Sequence, residues 1–466
     1  MNVNKIVALP IADAASRRLA TAWLLLGLGA LTLSSLFALM LVLLRIPYLH
    51  SLMPFRDMFP AALVVHVDLA VLVWFLSLAG VFWSLLGTKR APTPGLVAVA
   101  VATVGTLLMV SALPEGSGLA IMSNYVPVLD NTVFLFGLGL FAVGIVIMAI
   151  RGLAIGNVIF KCPTMTDVLR IGAGCAAVAT LVAMLTVLIT YRHLPLAASG
   201  RVLYEQLFWG GGHVLQFTHT SLMMVAWLVL AAEVGASAIP RRKLIYGFIL
   251  MLLPVLFILF LEILNPAALH DRALFTQLMR WGGWPVPVIL GLAILNHCRG
   301  TGCDSGVSVT PLRFSVLLFG TGLLVGALIH DDTLLVTAHY HGTVGAVTLA
   351  YMGLTYQLLP RLGFSAVSAR AIRVQARLYA CGLLMLISGL AWSGLQGILR
   401  KAAGAAQHMH GLQEIIGMVL MAIGGVVGLS AIWLFLILVA RSLLKTGGYR
   451  ARIRSATNTT VMLAKQ

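Results

Sequence analysis

The chain has 466 residues, 60% of them hydrophobic and 10% charged, with a mean hydropathy of +1.01. Soluble domains of that size carry far more charge, so the sequence reads as a polytopic membrane protein. The net charge of +17 would suit nucleic acid in sign. The basic residues fall in loops between apolar stretches, however, and this excludes that class of partner.

Twelve apolar stretches follow in chain order, near 19–44, 61–86, 93–113, 131–150, 168–190, 205–232, 244–264, 275–296, 312–329, 335–359, 375–397 and 413–440. Each is about long enough to span a bilayer. The eighth is interrupted by Arg280, Trp281, Pro285 and Pro287. Loops are short and no fixed-period repeat is present, so residues 1–466 read as one all-α membrane domain. The 46 glycines suit close packing between membrane helices. Cys162, Cys175, Cys298, Cys303 and Cys381 form no CxxC or CxxCH motif, so no disulfide framework is expected. The polar start before Leu19 has no small-residue cleavage site and is read as retained.

Loop charge sets the orientation. With a cytoplasmic N-terminus, the outer loops hold Arg45, Arg56, Arg192, Arg201, Arg272, Arg280, Arg400 and Lys401. The rest of the 31 Lys and Arg then lie inside, so both termini are expected to be cytoplasmic. On that map His66 lies about five residues into the second stretch and His213 about eight into the sixth. His339 and His341 open the tenth, and all three stretches run inward. At 1.5 Å per residue the four histidines share the outer third of the membrane. His50, His193, His270, His330, His408 and His410 fall in or beside outer loops, His219 lies deeper, and only His297 belongs to the inner face.

Imidazoles are costly in hydrocarbon and mark functional sites there by default. A lone histidine between helices also serves as a hydrogen-bonding link, so the shared depth is what points to metals or large planar cofactors. A proton-coupled transporter would place carboxylates at mid-depth; here Asp68, Glu205, Glu233, Glu262 and Glu414 are read near helix ends.

The run from His330 to Gly363 concentrates these features. It reads His330-Asp331-Asp332-Thr333, then Ala338-His339-Tyr340-His341-Gly342, and closes on Tyr356-Gln357-Leu358-Leu359-Pro360-Arg361. Positions two apart on a helix point about 200° from each other, so the two histidines address different neighbours. The run resembles the tenth helix of subunit I of haem–copper oxidases, where Asp-Thr precedes Ala-His-aromatic-His. The resemblance implies that His339 ligates a high-spin haem, and that His341 and His66 hold a low-spin haem. Gly397-Ile398-Leu399-Arg400-Lys401 resembles the family's Gly-x-Pro-Arg-Arg turn. It implies that Arg400 and Lys401 hold haem propionates through charge-assisted bonds; Lys401 stands where the family has arginine. Asp332 is a further candidate cation ligand on the outer side.

The sixth stretch opens Phe208-Trp209-Gly210-Gly211-Gly212-His213-Val214-Leu215-Gln216-Phe217. It resembles the family segment whose histidine binds a second metal, copper in oxidases and non-haem iron in nitric oxide reductases. His213, with Gln216 beside it, is the implied ligand set. Four positions here depart from the family. Phe217 replaces a redox-active tyrosine or a glutamate, Phe260 and Leu261 replace a His-His pair, and Ile289 replaces a proton-channel lysine. One histidine does not make a tight copper site, which leaves His219, His270, Glu262 or Gln216 to complete one.

The resemblance thus implies a twelve-helix, respiratory oxidase-like subunit in a cell inner membrane. It implies two haems, low-spin and high-spin, with copper or non-haem iron as the second metal. Electrons would enter at His66 and His341 and pass to iron on His339, reducing oxygen. Nitric oxide reduction is the alternative, and a non-catalytic haem electron carrier or accessory subunit is a third reading. An electron-donating subunit, a cytochrome c or a quinol would supply the electrons, because no soluble redox domain is attached.

Overall fold

Twelve long helices are found among the described residues, counting the two pieces of the eighth as one. They are α1 (Ala14–Arg45), α2 (Phe59–Leu86), α3 (Pro92–Ser111), α4 (Thr132–Leu153), α5 (Met165–His193), α6 (Gly200–Ala232), α7 (Arg241–Leu264), α8 (Arg272–Arg299), α9 (Val309–Gly326), α10 (Leu334–Arg361), α11 (Ala369–Leu395) and α12 (Leu412–Leu444). The structure is a computed structural model describing residues 13–46, 56–87, 92–115, 119–154, 162–195, 197–232, 239–265, 271–300, 307–402 and 411–445, with 9, 52, 53 and 407. His50, His270, Cys303, His408 and His410 lie outside these residues. The protein is an all-α polytopic membrane protein, and all the helices except α10 are long and apolar enough to cross a bilayer.

Why α10 falls short is visible in its sequence. Thr337, His339, Tyr340, His341, Thr343 and Thr348 dilute its apolar residues, yet its stretch from Gly345 to Tyr356 is buried throughout. A helix enclosed by other helices need not offer lipid an apolar face, so its polarity is met inside the protein.

Side-chain caps fix several helix starts. Asp13 accepts from the Ser16 amide and begins α1 earlier than hydropathy alone places it. Asn131 caps α4, Asp271 caps α8, and Thr164 with Asp167 forms a capping box on α5. The polar and proline residues flagged in the eighth stretch divide α8 into Arg272–Gly282 and Pro285–Gly300. Within α2 the residues Asp68–Val73 form a π turn directly after His66 and Val67, a distortion frequent at functional sites.

Neighbouring helices pack in sequence, α3 on α4, α5 on α6, α9 on α10 and α11 on α12, and α12 returns to pack on α1. The central members are α6 and α2, with 89% and 83% of their most apolar windows buried against 33% for α7 and α8. They meet α10 at an aromatic cluster: Phe75 lies 5.0 Å from the His219 ring and 5.7 Å from Tyr351, and Trp74 lies 6.3 Å from Tyr351. A short hairpin, β1 (Ala120–Ile121) with β2 (Val128–Leu129), joins α3 to α4 and packs on α2 and α6.

Small residues set the closest approaches. A Cβ on Gly382 of α11 would run into the backbone of Gly428 on α12, and one on Gly342 of α10 into the backbone of Gly322 on α9. Gly382→Leu is therefore expected to push α11 off α12 and cost about 1–3 kcal/mol or more. A melting curve of the detergent-purified variant checks this; an unchanged midpoint would show that the contact is slack.

Candidate functional site

Four membrane histidines share one device. His66 Nδ1 lies 2.9 Å from the carbonyl oxygen of Ser34 on α1, and His339 Nδ1 lies 2.7 Å from that of Gly322 on α9. His341 Nδ1 lies 2.8 Å from the Thr337 carbonyl, and His213 Nδ1 lies 2.7 Å from that of Trp209, each one turn back. A carbonyl oxygen only accepts, so Nδ1 carries the proton and Nε2 keeps its lone pair. Metal-ligating imidazoles almost always show this arrangement. For His66, His339 and His341 no described residue is bonded to Nε2.

The two α10 histidines leave their helix toward different neighbours. The His339 ring lies against Gly326 of α9, where a Cβ would collide with it, and a Cβ on Gly322 would run into the α10 backbone at His339 and Thr343. His341 stacks on Tyr340, with ring centroids 5.0 Å apart, and His66 of α2 and Arg45 of α1 lie within Coulombic range of it. Hydrogen bonds from Ser34 Oγ to the His66 carbonyl (3.1 Å) and from His66 to the Ser34 carbonyl lock α1 to α2 at this level. The three imidazoles stay half-buried while Ala338 and Gly342 beside them are buried. That arrangement fits haem: unshared Nε2 atoms on facing helices, and cations at the outer end.

The residues expected for a second metal do not converge. His213 Nε2 is 2.8 Å from the Tyr125 hydroxyl, leaving neither ring nitrogen free. Gln216 makes no side-chain hydrogen bond among the described residues. Glu262 on α7 accepts from Thr186 on α5, and His219 faces Phe75. Among the described residues no three His, Cys, Asp or Glu are grouped to hold a metal ion.

Asp332, Arg400 and Lys401 belong to one outer network. Asp332, a candidate cation ligand from sequence, instead accepts from the Arg400 guanidinium, a charge that opposes a bound cation. Arg400 Nη2 also reaches Asn124 Oδ1 at 2.7 Å. Lys401 Nζ donates to the Met122 carbonyl and lies 3.2 Å from Asn124 Oδ1. Asn124 Nδ2 donates to Glu205 at 3.0 Å, and Arg201 and Arg272 stand 3.7 Å from that carboxylate. Backbone bonds complete the clamp: Leu334 N donates to the Ile398 carbonyl at 2.9 Å and Arg400 N to that of Asp332 at 3.3 Å. The start of α10 is thereby stitched to the turn after α11.

Sequence reading missed Tyr125, Asn124, Ser34 and Arg45. The available signal for Tyr125 was the Gly210-Gly211-Gly212 run, since consecutive glycines on a helix mark a close approach; a Cβ on Gly212 would run into the Tyr125 ring. Asp68, expected near a helix end, lies inside α2, buried with neither carboxylate oxygen bonded. A cavity of about 290 Å³ lined by Ser308, Tyr356, Gln357 and Pro360 sits at the opposite end of α10. It lies roughly 25 Å along the helix from His339 and is separate from the histidines.

The chain is 26% identical over 499 aligned positions to an uncharacterized protein of Rickettsia prowazekii (strain Madrid E), covering 91% of this chain and 96% of that protein. It is 30% identical over 352 positions to an uncharacterized protein of Aquifex aeolicus (strain VF5), covering 73% of this chain and 85% of that protein. No family model matches the chain. At that identity and coverage it belongs to the family of the Aquifex protein.

Burial, and then repulsion from neighbouring Arg400, pull the Lys401 ammonium down to about 8. Between that value and the ordinary lysine range the unfolded chain binds the proton that the folded protein has released. Stability therefore rises with pH through this window, and below about 8 the whole penalty applies. Melting temperatures from pH 7 to 10 are expected to rise more for the wild type than for Lys401→Met. Parallel curves would place Lys401 in water.

Proposed function

We propose that this member of the family is a membrane haem protein similar to subunit I of haem–copper oxidases, moving electrons between two haems toward a small diatomic ligand. All twelve helices, α10 included, would cross a cell inner membrane with both termini cytoplasmic, as loop charge indicates. The observation that carries the reading is the shared tautomer of His66, His339 and His341. Each imidazole is anchored at Nδ1 on a backbone carbonyl, and Nε2 is left for iron.

In this reading His66 and His341 grip one haem from α2 and α10, and His339 holds the other from the opposite flank of α10. When bound, the haems supply redox-active iron and a coordination position for a diatomic. The protein's own part is orientation and surroundings. The Gly322 carbonyl fixes the His339 ring, Gly326 leaves it room, and the Ser34 carbonyl fixes His66. Arg45, within Coulombic range of His341, and Arg400 and Lys401 in the outer clamp would offer positive charge to haem carboxylates.

Oxygen is the first substrate by resemblance. Phe217 and Ile289, in place of the oxidases' tyrosine and lysine, favour nitric oxide as the second, and the glutamate that Phe217 also replaces counts against it. Electrons would come from a partner subunit, a cytochrome c or a quinol.

Purified wild type is expected to show one haem that binds carbon monoxide on reduction and one that does not. His66→Ala or His341→Ala should each remove about half the haem and spare carbon monoxide binding, whereas His339→Leu should abolish that binding. Reduced-minus-oxidised spectra with and without carbon monoxide measure all three. Retention of full pigment by a His339→Leu/His341→Ala double variant would end the haem reading.

A further inference from the structure

We propose that this chain keeps a single iron at the His339 site, with Tyr125, hydrogen-bonded to His213, standing where the resemblance places a second metal. The inference rests on the haem reading above and concerns what faces that haem from α6.

His213 has no ring nitrogen left for a metal. Its Nδ1–H is held by the Trp209 carbonyl at 2.7 Å. Its Nε2 lies 2.8 Å from the Tyr125 oxygen, and the phenol must be the donor because Nδ1 holds the ring proton. Trp209 and Phe275 wall the imidazole, at 4.8 and 6.0 Å between ring centroids, and neither can ligate.

Features independent of that bond also put the phenol there. Tyr125 has φ 66°, a left-handed backbone that is an outlier for a bulky side chain and persists only where the surroundings impose it. The surroundings do so: Ser123 Oγ donates to the Val126 carbonyl at 2.5 Å, and Asn124 is gripped by Glu205, Arg400 and Lys401. Gly212 lacks the Cβ that would strike the Tyr125 ring, so the bare face of α6 is the ring's seat. Asn124 is tied through Arg400 to Asp332, just before α10 begins. The pair is thereby held at the outer end of the bundle, from which His339 descends. A molecule bound to iron would meet a neutral phenol–imidazole pair rather than a second Lewis acid.

Two measurements on full-length, haem-loaded protein test this. Metal analysis is expected to give iron equal to haem and no stoichiometric copper, with no change in His213→Leu. The carbon monoxide stretch of the reduced protein is expected to shift in Tyr125→Phe and in His213→Leu. Tyr125→Phe keeps the ring on Gly212 and removes only the hydroxyl, and an unchanged haem spectrum verifies that it folds. Stoichiometric copper or non-haem iron that is lost in His213→Leu would overturn the proposal. So would a carbon monoxide stretch identical in all three proteins. Protein that purifies without haem overturns the underlying reading, an outcome distinct from both.

Discussion

An imidazole N–H held on a backbone carbonyl is the interaction on which the centre of this protein depends. In water such a bond contributes only about 0.5–1.5 kcal/mol net. Between membrane helices an unpaired N–H would be costly, so the ring is strongly oriented by the one acceptor in reach. For His341 and His213 that acceptor is one turn back on the same helix. For His66 and His339 it belongs to a neighbouring helix, Ser34 of α1 and Gly322 of α9. The bond therefore sets helix register as well as ring orientation. It also fixes which nitrogen keeps its lone pair.

Packing supplies the second constraint. A carbonyl on α9 can reach the His339 ring only if the two helices approach closely, and Gly322, Gly326 and Gly342 permit that approach. Gly326 presents backbone rather than a side chain to the ring, and the Gly322 carbonyl holds its Nδ1. The polarity that keeps α10 from qualifying as an apolar span follows from this arrangement. Threonines and histidines are affordable on a helix whose neighbours, rather than lipid, meet their hydrogen-bonding needs.

Much of this was legible in the sequence for a physical reason. Hydropathy reports on the solvent around each segment, so the long helices and the break in α8 could be read directly, whereas the Asp13 cap that starts α1 earlier was not. The spacing of His339 and His341 predicted divergent directions because helical geometry is rigid over two residues. Contacts between distant segments left little such trace beyond the glycine run that faces Tyr125. Tyr125 meets His213 across 88 positions and Arg400 meets Asn124 across 276. Neither partner stands out in its own local sequence. Asp332 illustrates the limit: an acidic residue before a histidine helix reads equally well as a cation ligand or as the partner of a remote arginine, and only the fold decides between them.

The outer clamp links these levels. The bridge between Thr333 and Leu399 fixes where α10 begins, and Arg400, next along the chain, spans from Asp332 to Asn124. Moving the turn after α11 would therefore displace both the N-terminal end of the histidine helix and the loop that carries Tyr125. A left-handed tyrosine is tolerable only under such a grip. Gly212 could be exchanged for a larger residue only if that ring moved. The glycine run on α6, the strained backbone at Tyr125 and the cations after α11 are thus one structural unit, and a change in any of them reaches the environment of His213.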